Sequence, residues 1–210
     1  MKKIIIALSA AFSVSAFAGG LEALENFIRN AKTGKSEFTQ TVTGPAREGQ
    51  AARSKTSSGT FEFQRPNKFR FVYRKPFEQT IVADGTTLWL YDQDLNQVTS
   101  RKQAKVLGQT PAAMIAASPD LETLRRDFDL QQLPDSNGLQ WVQATPKVKE
   151  GQLHSMKVGF RGNELAVLEI LDGLGQRSVL QFTGMQVNAA VSPDAFRFQP
   201  PQGADVVKAP

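Results

Sequence analysis

The residues able to do chemistry in this chain are few, and their spacing argues against catalysis. His154 is the single histidine and there is no cysteine, so an imidazole base would act alone and no thiolate nucleophile exists. His154 follows Gly151 in a stretch that reads as a turn before a strand, where a histidine is ordinarily solvated. No Gly-x-Ser-x-Gly elbow accompanies it to present a serine on a strained turn. Asp84, Asp92 and Asp94 sit in or beside turns, where aspartate commonly accepts hydrogen bonds from nearby backbone N–H groups. No glycine-rich phosphate loop ending in Lys-Ser or Lys-Thr occurs, so the chain has no visible means of using ATP. A periplasmic hydrolase acting on lipids or peptidoglycan is therefore the weakest reading, and no cofactor or metal is called for.

What remains is the chemistry of binding. By a period of two, Arg65 falls on the same face as Phe61 and Phe63, just where Pro66 ends the strand. A guanidinium at the rim of an apolar surface is costly unless it meets acceptors. The unpaired carbonyls at the end of a covering helix would supply them and make a latch. The alternative is that the long stem simply carries the charge to water. The phenylalanines are equally two-sided. With 14 Phe against two Tyr and two Trp, the apolar face is either packed core or the lining of an underfilled cavity, which Phe lines without bringing a polar group that needs a partner.

Alternation supplies the scaffold. Glu37 to Thr43, Thr60 to Gln64 and Phe69 to Arg74 each place apolar residues on one face, and Ile81 to Ala83 with Thr87 to Tyr91 reads as a hairpin through Asp84-Gly85, expected as a type I′ turn. The pattern resumes at Leu139 to Ala144, Ser155 to Phe160, Leu165 to Leu171 and Ser178 to Val187. Phe196 to Gln199 adds a last strand-like stretch before Pro200-Pro201. The fold class is thus mainly β with a minority of helix (α+β): a single antiparallel meander of about ten or eleven strands. Leu21, Leu24, Phe27, Ile28 and Ala31 recur at helical spacing, and Thr110-Pro111 starts a short uncharged helix over Ala112 to Ala117 that carries Met114 and Ile115. Helices too small to form a core of their own are expected on the sheet's concave side.

Residues 1–18 read as a cleaved secretory signal: Lys2 and Lys3, an apolar stretch from Ile4 to Phe17, then Ala16-Phe17-Ala18. That stretch falls short of the roughly 20 residues a membrane-spanning helix needs. Residues 19–210 then form one domain, expected to be a periplasmic monomer. Without Lys2 and Lys3, 23 basic residues face 20 acidic ones. The excess is mild and scattered, which argues against nucleic acid as a partner.

One feature of the sequence is more specific than any of these. Phe38-Thr39-Gln40, Gly59, Arg65-Pro66-Asn67-Lys68-Phe69, Pro76, the run Val82 to Asp92, Gln97-Val98-Thr99, Thr110-Pro111 and Phe196 to Gly203 together resemble the outer-membrane lipoprotein carrier proteins, the LolA family. The resemblance implies a half-open β-barrel whose helices act as a lid over an apolar cavity. It also implies a periplasmic chaperone that takes acylated lipoproteins from an ATP-driven inner-membrane transporter and passes them to an outer-membrane receptor. By the same resemblance Arg65 is the lid latch and Phe69 the cargo-receiving residue near the mouth. The candidate cargo-binding set is completed by Phe61, Phe63, Phe71, Trp89, Leu24, Phe27, Ile28, Met114 and Ile115. The alternative within this fold is a lipid-sensing binding protein, whose kind normally carries an extra domain.

Overall fold

The computed structural model describes residues 19–46, 51–106, 118–148 and 153–209. Helix α1 (Gly20–Asn30) turns Ala23, Leu24, Phe27 and Ile28 inward at three- and four-residue spacing, with Glu22 in its first turn and Arg29 in its last, as the helix dipole favours. It ends where the Ala31 N–H donates back to the Phe27 carbonyl at 2.9 Å.

Then follow β1 (Thr33–Thr43), β2 (Ser54–Gln64), β3 (Lys68–Lys75), β4 (Gln79–Asp84), β5 (Thr87–Asp92), β6 (Gln97–Lys102), α2 (Gln103–Val106), α3 (Leu121–Asp127), β7 (Phe128–Ser136), β8 (Leu139–Pro146), β9 (Leu153–Arg161), β10 (Glu164–Asp172), β11 (Arg177–Val187), a 3₁₀ turn (Pro193–Phe196) and β12 (Asp205–Lys208). All strands belong to one sheet of 12, in the order β12-β6-β5-β4-β3-β2-β1-β11-β10-β9-β8-β7. Two meanders are joined where β1 pairs with β11, and the ends β7 and β12 do not meet, so the sheet curves without closing.

Three expectations need correction. The sheet is not wholly antiparallel, because β12 runs parallel to β6. The stretch Phe196 to Gln199 is no strand: its alternating Phe196 and Phe198 pack side chains against the sheet while the backbone pairs later, at Asp205–Lys208. In the β4–β5 hairpin only Gly85 has a positive φ, at 102°, so this is not the type I′ turn, which needs two such residues. The short uncharged helix expected over 112–117 lies outside the described residues.

Register assigns the faces. Phe61 opposes Phe71 and Phe63 opposes Phe69, Phe71 opposes Ile81, and Ile81 opposes Leu90, so these share the concave face. Helix α1 packs inside the curve of the sheet against β7, β8 and β9. Its Phe27 ring sits 5.9 Å from Phe63 in the first meander and 5.8 Å from Phe160 in the second, bridging the halves. Gly20 lets the helix start hard against the backbone of Trp141, where any Cβ would collide with the Trp141 carbonyl.

Candidate functional site

The concave aromatic face is the centre of the site. Phe61, Phe63 and Phe69 are 0 % exposed, Phe71 is 3 %, and α1 contributes Leu24, Phe27 and Ile28, each at 2 % or less. Phe61 stacks on Phe71 at 4.5 Å between ring centroids and packs at 5.5 Å against Phe182 from the far meander. From α1, the Phe27 ring reaches this face at Phe63, 5.9 Å away.

Arg65 closes the proximal end of this arrangement. Pro66 stops β2 beside the point where α1 ends, so the guanidinium meets the helix terminus. Its Nε donates to the Ala31 carbonyl at 2.8 Å, and one terminal nitrogen, Nη1, donates to the Ser118 carbonyl at 2.7 Å. The group lies 5.4 Å above the rings of both Phe27 and Phe63. Its second terminal nitrogen is buried with no partner among the described residues. Burial draws its pKa down from 12.5 to about 10. The Arg65 backbone N–H donates to Lys32 at 2.8 Å, fixing β2 to the α1–β1 connection. Thus the arginine reaches helix-end acceptors rather than water.

The structure brings Phe61, Phe63, Phe69, Phe71, Leu24, Phe27 and Ile28 together. It does not bring Trp89 with them. Trp89 opposes Val82 and Ser100, one residue out of step with Leu90, and so points to the convex face. There its ring packs 5.5 Å from Phe198 and its Nε1 donates to Asp84 at 3.1 Å. Trp89 is removed from the cargo-binding set for that reason. Met114 and Ile115 lie outside the described residues.

Several participants were not legible as such in the sequence. Ala31 and Ser118 act through main-chain carbonyls, which leave no trace in residue type. Gln103, 1 % exposed, donates to the Asn67 carbonyl at 2.6 Å and accepts from the Gly85 N–H at 2.9 Å, holding the turn that presents Arg65 and Phe69 against the β4–β5 hairpin. Tyr73 donates to Gln40 at 2.9 Å, and Gln40 donates to Ser178 at 2.7 Å, a polar chain across the concave side. Burial raises the Tyr73 phenol to about 12, so it stays a donor. His154 is exposed on β9, not in a turn.

A family model described as outer membrane lipoprotein carrier protein LolA matches residues 29–199. The chain belongs to the LolA family. Similar relatives bear the description outer-membrane lipoprotein carrier protein. The one from Albidiferax ferrireducens is 62 % identical over 203 residues, covering 95 % of each chain. That from Methylibium petroleiphilum is 52 % identical over 193 residues, covering 92 % of this chain and 91 % of the relative. Among solved structures, an uncharacterized conserved protein from Thermus thermophilus superposes with a TM-score of 0.51 at 15 % identity, over 90 % of this chain and 98 % of that one. The likeness to it concerns the fold alone.

Proposed function

We propose that this LolA family member is a non-enzymatic periplasmic chaperone that shields the acyl chains of lipoproteins on their way to the outer membrane. The observation that carries the reading is Arg65, which ties the end of α1 and the Ser118 segment over a phenylalanine-lined sheet through two main-chain carbonyls. Side chains that Arg65 holds down can be let go without breaking a strand. An entering hydrocarbon would then take the place of Leu24, Phe27 and Ile28 against Phe61, Phe63 and Phe69. One apolar occupant replaces another, so the exchange is close to balanced and the carrier does not hold its cargo too tightly.

Magnitudes explain the need. A triacylated cysteine exposes on the order of 45 methylene groups, and at roughly 0.8 kcal/mol each their transfer out of water is worth about 35 kcal/mol. Release into water would restore that cost, so cargo must pass directly between apolar surfaces. The transfer energy comes from outside this chain: an ATP-driven inner-membrane transporter loads it, and an outer-membrane receptor unloads it. Residues 1–18 serve as the export signal and are removed, leaving one domain over 19–210. The test is mass spectrometry of the native protein drawn from periplasm. An acylated polypeptide should co-purify; recovery of lipid-free protein under conditions that preserve complexes would contradict the assignment.

A further inference from the structure

At the end of the half-barrel away from Arg65, the concave face changes character. The sheet's inward positions near Arg65 carry Phe61, Phe71, Ile81 and Leu90, but the same parity further along carries Gln40 opposite Ser57, Val42 opposite Lys55, and Gln79 opposite Asp92. These residues surround an open basin of about 800 Å³. Its volume falls within the range of small-molecule sites, roughly 300 to 1,000 Å³.

Tyr73 marks the border. Its ring makes an edge contact with Phe38 at 5.0 Å and stacks toward Phe71 at 6.3 Å, while its hydroxyl donates to Gln40 on the basin side. Gln40 spends one amide N–H on Ser178, which leaves the other free to donate. Among the described residues the ionic groups of the lining cancel, Arg53 and Lys55 against Asp92 and Asp94. Pro76, Phe77 and Leu95 line the same basin, so its wall is amphipathic; uncharged hydrogen-bonding groups set among apolar side chains and continuous with an aromatic surface suit a molecule that carries carbonyls on hydrocarbon.

We propose that the basin receives the ester and amide carbonyls where a guest's acyl chains join its glycerol and its N-terminal cysteine. The hydrocarbon continues past Tyr73 onto the phenylalanine face. The assignment rests on the carrier reading and extends it to the polar part of the cargo.

The test compares three probes on purified protein: diphenylhexatriene, a pure hydrocarbon that fluoresces when buried; a triacylated cysteinyl-serine dipeptide partitioning from micelles; and dipalmitoylphosphatidylglycerol, which has the esters but no amide. Gln40→Leu should weaken the dipeptide about tenfold, as expected for one or two lost hydrogen bonds, and Ser57→Ala a few-fold. Diphenylhexatriene binding should stay unchanged in both. A loss shared with the phospholipid assigns the basin to the esters, and a loss confined to the dipeptide assigns it to the amide. Unchanged dipeptide affinity in both variants, or equal loss of dipeptide and hydrocarbon, overturns the proposal. Wild-type protein that binds neither would instead sink the carrier reading itself.

Discussion

Replacing Arg65 by leucine isolates the latch. Leucine keeps an apolar body beside Phe27 and Phe63 but removes both donors, leaving the Ala31 and Ser118 carbonyls without the bonds of 2.8 and 2.7 Å. A hydrogen bond from a charged donor is worth about 1.5 to 3 kcal/mol. Against that gain stand the burial that lowers the guanidinium pKa to about 10 and the second terminal nitrogen with no partner among the described residues. Set together, these leave a net loss for the closed form of roughly 2 kcal/mol, which shifts the balance between closed and opened forms about thirty-fold. The empty, closed carrier is then the poorer competitor for α1, so the variant should load lipoprotein but release it more slowly by a similar factor. The assay is the rate of transfer of a labelled lipoprotein from the loaded carrier to receptor-bearing vesicles. Arg65→Lys keeps the charge but lacks the planar fork whose separate nitrogens reach the two carbonyls, and should fall between the two. A folded Arg65→Leu protein that unloads within a factor of two of wild type would refute the latch.

Phe69→Glu places a carboxylate at a position that is 0 % exposed; loading should fail, with a destabilisation of several kcal/mol in urea unfolding, and normal loading would remove Phe69 from the site. Trp89→Phe should leave loading intact, since that ring faces Phe198 on the convex side; a loading defect would reverse the face assignment. Burial alone would raise the Asp84 pKa, but hydrogen bonds from Thr87, Trp89 and Thr86 and the charge of Lys68 hold it below the ordinary value. Its contribution to stability is therefore present above the unfolded pKa near 3.9 and lost as pH falls through the lower folded one, and Asp84→Asn should flatten that acid limb of the unfolding curve. His154→Ala should leave transport unchanged, and a lost activity there would revive the hydrolase.

The face alternation of β1 to β5, the α1 stripe and the position of Arg65 beside Pro66 were all present in residue type and spacing, because each is a local periodicity. The cost of a charge beside Phe61 and Phe63 was equally readable, but residue type left open whether helix-end carbonyls or water would meet it. The edge strand β7 escaped notice because it is largely solvent-exposed, so selection for an apolar alternation is weak there. β6 offered only Val98 and Ser100 as buried positions. Trp89 was misassigned because composition tells that a residue is apolar, whereas its face depends on a register fixed by neighbours in other strands.

The sequence by itself determined the strands whose apolar residues alternate, β1 to β5 and β8 to β11, and where a cation would meet their greasy side, since backbone geometry imposes periods of two and 3.6 on any chain; β6, β7, β12 and the face of Trp89 were not among them. Only the tertiary structure decided that Phe27 of α1 bridges the two meanders, that Ala31 and Ser118 are the acceptors, and that Gln40, Ser57 and Gln79 turn inward around a shared basin. Those facts depend on which distant segments meet, and a main-chain carbonyl or an unfilled volume has no residue letter of its own.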